Sequence, residues 1–413
     1  MLEQALPFWT ELLQLPGYVV VCCQQNAYLQ HYRFTVAPQQ RLGLCPNCGK
    51  VTDQVHQTRT REPIKDLPIS NYAVDLAVRV LQFTCPHCGQ VFTPPVAFLA
   101  EGAHATERFL ERAAALTRTS DLANAAAFLG VPERTLGDWY YRYLQRRRPA
   151  GKHLLKPIRR LGIDELLLSK SQGGYVAVIV DHDNQRLLEV LENREKATVL
   201  AYLQQAKQSG LLSQVQEVTT DMWVPYVEAA REAFGPQVSI TIDRFHVMKN
   251  FQDCLTAARR ELQRRLSGPE RAQLKGSRWL WVTNPEHLTT EQQQELQALK
   301  QQFPELGKLA DQREAFRAIF ENRKITSPAA GRQRLQAWLE QVQQLGLTAL
   351  TKFCTTLTNW LDPIANYFRS RSSNGRTEGL NHGLRAILWR AFGMANFQNF
   401  RLRVLHCFGL GLA

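Results

Sequence analysis

The stretch QEVTTDMWVPYVEAAREAFGPQVSITIDRFHV, residues Gln216 to Val247, carries the pattern on which the fold turns. Gln216–Asp221 reads as a short strand that ends on an acid, and Val238–Ile242 as a second strand that runs into Asp243-Arg-Phe-His246. Trp223–Phe234 between them reads as a helix. Upstream, Arg160–Ser169 and Arg186–Leu191 have strand composition. Tyr175–Val180 is a continuous apolar run of the kind buried at a sheet centre. Asp183-Asn184 supplies the turn between the last two, and Glu195–Gln208 a helix.

Three strands, helix, strand, helix, strand is the order of a ribonuclease-H-like fold. Its first and fourth strands are neighbours, so Asp164 and Asp221 are expected side by side. Glu165, by strand alternation, points to the other face. Taken singly, each aspartate is as readily an acid capping a turn.

Two modules precede this one. Cys45-Pro-Asn-Cys48-Gly and Cys85-Pro-His-Cys88-Gly are near copies. In each, a tight turn aims two thiolates at one point, and the glycine permits positive φ. Four sulfurs are the donor set of a closed structural Zn²⁺ site; two disulfides are the alternative. Tyr72–Phe83 between the knuckles alternates as a strand, and His56, Arg59 and Arg61 fall on the preceding loop, within reach of phosphates. Cys22, Cys23, Cys254, Cys354 and Cys407 read as small core residues.

Next, Ala105–Thr119 reads as a helix, and Leu122, Ala125, Ala126 and Leu129 as the apolar face of another, capped by Ser120 or Asp121. Gly130-Val131-Pro132 is a turn with glycine as C-cap. The following helix buries Leu136, Trp139, Tyr140 and Tyr143 and turns Arg134, Thr135 and Asp138 outward. This is a helix-turn-helix with its recognition helix, and Arg146, Arg147 and Arg148 at its end suit phosphates. A plain three-helix packing unit is the alternative.

Downstream, residues 250–370 are rich in Gln, Leu, Glu and Arg, with helical periodicity between proline breaks and a capping box at Thr290–Gln293. Trp279 and Trp281 read as core residues. The final helix sets Leu380, Leu384, Ile387 and Ala391 on one stripe, and Glu378, Asn381, His382 and Arg385 on a polar one.

The chain has 413 residues, enough for two to four domains, with 44% hydrophobic and 21% charged residues. A net charge of +13 points to an acidic partner, nucleic acid first. No apolar run approaches the ~18 residues of a spanning helix, which sets the membrane aside. The N-terminus lacks a basic n-region and makes a poor signal peptide. With nine cysteines, an odd count, a reducing interior is expected, cytoplasmic and associated with the nucleoid.

The ordered pieces, namely the doubled CPxCG, the helix-turn-helix, GIDE at Gly162–Glu165, TTDM at Thr219–Met222, IDRFHV at Ile242–Val247 and RTEGLNHGLRAILWRAFGMANF at Arg376–Phe397, resemble the DDE transposases of the ISL-three insertion-sequence family. The resemblance runs from roughly Leu42 to the C-terminus. It implies a catalytic triad of Asp164, Asp221 and Glu378 holding two Mg²⁺, with Mn²⁺ as a substitute. Asp243, His246, Asn381 and Arg385 would assist. It further implies binding of double-stranded DNA at terminal inverted repeats, end cleavage and strand transfer, and a homodimer or larger assembly on DNA. A domesticated DNA-binding regulator with a silent catalytic domain is the alternative, and a nuclease without strand transfer another.

The expected organisation is a zinc ribbon over 1–98 and a helix-turn-helix over 99–150. A ribonuclease-H-like catalytic domain over 151–249 follows, then an all-helical insertion over 250–370 and the catalytic C-terminal part over 371–413.

Overall fold

A computed structural model describes residues 5–147, 156–169, 174–372, 375–391, 394 and 396–409, with Ser169, Gly375, Arg376 and Glu378 described as backbone. The chain forms two compact units. One comprises residues 1–150 with 386–407 and 411–413, the other residues 151–385 with 408–410.

In the first unit, helix α1 (Leu6–Leu13) precedes strands β1 (Tyr18–Asn26) and β2 (His31–Pro38). The short hairpin β3 (Gly43–Leu44) and β4 (Val51–Thr52) holds the first cysteine knuckle. Strands β5 (Val55–Ile69), β6 (Tyr72–Thr84) and β7 (Val91–Phe92) follow, the last two flanking the second knuckle. The sheet order is β1-β2-β6-β5, with β7 also on β6; β2 and β6 run parallel and the rest antiparallel. Phe34, Val36, Leu76 and Val78 are fully buried at its centre. Arg59 and Arg61 lie in β5, not on a loop, because this stretch pairs along nearly its whole length with β6.

Three helices follow: α2 (Glu107–Thr119), α3 (Leu122–Leu129) and α4 (Glu133–Arg146). Asp121, rather than Ser120, caps α3 by accepting from the Asn124 amide at 2.7 Å. Gly130 ends it at φ +65°, the left-handed conformation glycine adopts without strain. Ala113, Ala125, Leu136 and Tyr140 are buried between the three helices.

The second unit is built on β8 (Arg160–Ser169), β9 (Gly174–Asp181), β10 (Arg186–Leu191), β11 (Glu217–Thr220) and β12 (Ser239–Ile242). The order is β10-β9-β8-β11-β12, antiparallel through the first three strands and parallel through the last three. Strand β8 is therefore central. Helix α5 (Lys196–Gln208) follows β10, and α6 (Val224–Phe234) connects β11 to β12. Both cover one sheet face, packing on Leu161, Ile163, Ile179, Val218 and Ile240.

Helix α7 (Arg244–Arg265) continues straight out of β12, so residues 249 and 250 lie inside one helix. The helices α8 (Gly268–Leu274), α9 (Arg278–Val282), α10 (Thr290–Gln302), α11 (Pro304–Glu321), α12 (Pro328–Gln344), α13 (Thr351–Asn359), α14 (Leu361–Ala365) and α15 (Tyr367–Ser370) share an aromatic core with it. Phe251, Phe316, Trp338 and Phe353 interlock there, with ring centroids 4.7–5.9 Å apart. Trp281 belongs to this core, but Trp279 is 65% exposed beneath the Arg278 guanidinium. The capping box sits one residue earlier than expected, on Thr289 and Gln292.

Helix α16 (Gly375–Arg390) contributes residues to both units, and α17 (Phe397–Phe408) to the first up to Cys407. Against the three helices there, Arg403 donates to the Ser120 carbonyl at 3.0 Å, and the His406 imidazole meets the Ala114 carbonyl at 3.1 Å. Residues 386–407 therefore group with the first unit, whereas the sequence alone assigns all of 371–413 to the catalytic part. Cys22 is exposed, unlike its buried neighbour Cys23, because consecutive strand residues face opposite ways.

Candidate active site

Strand alternation assembles the site. Leu161 and Ile163 of β8, Val218 of β11 and Ile240 of β12 face α5 and α6. Gly162, Asp164, Thr219 and Thr241 therefore face the other way, and the strands run on in the same parity to Asp221 and Asp243. In register, Thr219 pairs with Gly162 and Thr220 with Ile242, which brings the ends of β11 and β12 beside Asp164 in β8.

The carboxylates of Asp164 and Asp221 and the imidazole of His246 converge, with ligand atoms all within 4.8 Å of one another. His246, in the first turn of α7, places Nε2 2.8 Å from Asp221 Oδ1. Asn381 of α16 donates from Nδ2 to Asp164 Oδ2 at 2.8 Å, and the Glu165 amide donates to Asp164 Oδ1 at 2.8 Å. Asp243 caps α7, accepting from the Phe245 amide at 3.3 Å. Arg385 lines the same cleft, of about 310 Å³. Of the polar face expected on this helix, Asn381 is buried, only 3% exposed. Glu378 lies in the first turn of the helix, and its side chain is outside the described residues.

Burial, and then the charge of Asp221, push the Asp164 carboxyl up to about 7. Burial lowers the His246 imidazole, but its hydrogen bond to Asp221 and the surrounding aspartates outweigh this and leave it raised. These are signs of excess negative charge. Among the described residues, Asn381 Oδ1 is buried with no hydrogen-bond partner, and Asp221 Oδ1 meets only the His246 imidazole. Clustered oxygen donors that are buried and short of partners fit a hard divalent cation, which Asp164 and Asp221 could hold.

Glu165 turns to the opposite face, as alternation requires, and pairs with Arg194. The Arg194 guanidinium in turn lies 4.3 Å from the Tyr175 ring centroid and 4.6 Å from that of Trp223. Tyr175, Phe245 and Lys249 also line the cleft, and none of the three is among the site residues expected from the sequence. Lys249 had a signal available, since it falls one helical turn after His246.

At the cysteine knuckles, Cys45 and Cys88 Sγ are 3.6 Å apart and Cys48 and Cys85 Sγ 3.5 Å apart. A tetrahedron with Zn–S bonds of about 2.3 Å has edges near 3.8 Å, so the four sulfurs fit one Zn²⁺. A disulfide needs about 2.05 Å, and all four cysteines are free. The knuckles repeat one another in the backbone too. The Cys45 amide donates to Lys50 and the Gly49 amide to Cys45, as Cys85 does to Gln90 and Gly89 to Cys85, all at 2.9 Å.

The expected DNA contacts are scattered over the first unit. Arg59, Arg61 and Arg134 are exposed and Thr135 is half-buried. Arg146 reaches Glu101 and Glu107, and Arg147 reaches Glu111 and the Tyr143 ring. Arg148 lies outside the described residues. None of the described helices is long and apolar enough to cross a membrane.

Residues 41–90 match the zinc-finger of transposase IS204/IS1001/IS1096/IS1165, and residues 161–404 match a family described as transposase. The transposase for insertion sequence element IS1001 of Bordetella parapertussis is 28% identical over 377 residues, 90% of either chain. The transposase for insertion sequence element IS1557 of Mycobacterium tuberculosis is 26% identical over 266 residues, 58% of either chain. The matched segment spans every strand of the acid-bearing sheet and the helix that returns to it, and the chain belongs to the ISL-three transposase family.

Proposed function

We propose that this protein cuts DNA at the ends of its own insertion element and joins them to target DNA, with Asp164, Asp221 and Glu378 as metal-holding carboxylates. The observation that carries the reading is the meeting of Asp164, Asp221 and His246 on one sheet face, with α16 tied to Asp164 through Asn381. The sheet is read as a ribonuclease-H-like core, and α7 to α15 as an insertion between β12 and the helix bearing Glu378.

Asp164, Asp221 and Glu378 would hold divalent Mg²⁺, which would supply stabilisation of the charge that develops on the entering and leaving oxygens of an in-line displacement. Asp164 and Asp221 reach the site from adjacent strands, so their separation is set by the sheet. Asn381 orients Asp164, and His246 orients Asp221. Arg385 and Lys249 bring positive charge to the cleft for the phosphates on either side of the cut. In the first step, water attacks phosphorus and the bond to the 3′ oxygen breaks, leaving a 3′-hydroxyl on the element. In the second, that hydroxyl attacks a target phosphodiester, forming one phosphorus–oxygen bond as another breaks.

The zinc ribbon and α2–α4 are read as the module that binds terminal inverted repeats. In this reading α4 is the recognition helix presenting Arg134 and Thr135, and α3, α4 and the Gly130 turn form a helix-turn-helix. Arg59 and Arg61 on β5, with Arg146 to Arg148, would meet phosphates, and synapsis of two ends calls for at least two copies on DNA.

The test uses purified protein and a labelled duplex carrying the DNA that borders its own gene. Nicking at the element boundary in Mg²⁺, absent with EDTA and lost in Glu378→Gln while binding persists, is the expected result. Sequence-specific binding with no cutting in Mg²⁺ or Mn²⁺ would instead identify a DNA-binding regulator.

A further inference from the structure

We propose that His182 and Thr377 form a latch that positions the first turn of α16, and with it Glu378, against the strand bearing Asp164. The inference rests on Glu378 being the third carboxylate. It adds the means by which that residue is returned to the site after nine intervening helices. His182 directly follows β9 and is 7% exposed; Thr377 is fully buried. His182 Nε2 and Thr377 Oγ1 lie 3.2 Å apart, a buried hydrogen bond between residues 195 positions apart in sequence.

Gly162 makes room for it. A Cβ built on Gly162 would stand 2.2 Å from His182 Nε2, so any side chain there would displace the ring. Gly162 is two residues before Asp164 on the same face of β8. Asn381, which binds Asp164, is four residues after Thr377 on the same face of α16. Four helical residues advance about 6 Å, and two strand residues about 6.6 Å. The two attachments are thus matched in spacing. One seats Thr377 over Gly162 by way of His182, and the other seats Asn381 on Asp164.

Residue 378 lies between these attachments. A slip of one residue along α16 would shift it by about 1.5 Å and turn it by about 100°, enough to carry a carboxylate out of reach of Asp164 and Asp221. Asn381 alone holds a single point and leaves the first turn free to swing. The second point fixes the rotation. Both residues act through others, so they are positioning residues and touch no substrate.

The test compares the wild-type chain with Thr377→Val, which keeps shape and loses the hydroxyl, and Thr377→Ser, which keeps the hydroxyl. Amide exchange is followed in metal-free protein, and end cleavage as a function of Mg²⁺. Thr377→Val is expected to speed exchange over residues 376–381 while β8 and β9 stay protected. The Mg²⁺ needed for half-maximal cleavage should rise about ten- to a hundredfold with the KM for DNA unchanged, and Thr377→Ser should restore both. Unchanged exchange and unchanged Mg²⁺ demand in Thr377→Val, or a loss that Thr377→Ser fails to rescue, overturns the latch. Full cleavage by Glu378→Gln is a separate outcome, which overturns the triad on which the latch depends.

Discussion

At the scale of the residue, the site is a problem of charge. Asp164 is 7% exposed and faces Asp221, and both causes hold its carboxyl near neutrality. An acid raised on folding binds a proton in the native state that the unfolded chain has given up. Its contribution to the stability of the metal-free protein therefore falls as pH rises from about 4 to about 7, with the sign opposite to that of a salt-bridged aspartate. On the proposed function, a metal held by Asp164 would have to expel that proton. Calorimetric titration with Mg²⁺ at pH 6, in two buffers of different ionisation enthalpy, should show release of most of one proton, and at pH 8 almost none. Equal heats in the two buffers at pH 6 would mean that Asp164 is already ionised.

At the scale of the element, local chemistry places the ends of helices. Helix α3 starts where Asp121 accepts from the Asn124 amide and stops where Gly130 turns left-handed. Gly130 has nothing within 4 Å of an added Cβ, so Gly130→Ala tests the backbone alone. It should lower the stability of the three-helix unit by about 1 kcal/mol through left-handed strain, measured as a drop in the denaturant midpoint. An unchanged midpoint would show that the turn relaxes out of positive φ. The misplaced capping box has a local cause as well. Thr289 and Thr290 precede the run Gln292 to Gln294, so the motif fits two frames, and the helix adopts the first.

At the scale of the whole molecule, the chain is two bodies with separate cores, so damage to one should spare the other. Chelation of zinc, or Cys88→Ser, should strip amide protection from residues 43–52 and 84–92, because the cysteines cannot hold the knuckles together without the ion or with one ligand lost. Residues 160–242 should keep theirs, since their core contains no cysteine. Loss of protection across residues 160–242 as well on chelation would contradict independent cores. The C-terminal residues belong to this scale too. Helix α17 contributes to the first unit although it follows the acid-bearing helix in sequence, and the contacts of Arg403 and His406 that place it there span more than 280 positions.

By itself the sequence determined whatever repeats or alternates over a few residues. The paired CPxCG turns, the five strands from Arg160 to Ile242 and the Gly130 turn were legible, because backbone preference and side-chain period act locally. Facing of the acids was legible as well, since parity along a strand fixes which side Asp164 and Glu165 take. What the tertiary structure alone decided depends on partners distant in the chain. Trp281 is core and Trp279 is not, although the two differ only in which side of a one-turn helix meets the aromatic cluster. Asn381 became a ligand of Asp164, rather than one more polar residue on a basic helix, only when α16 returned to β8. His182 belongs to no motif, and its importance comes from a 3.2 Å contact with Thr377 that no local pattern encodes.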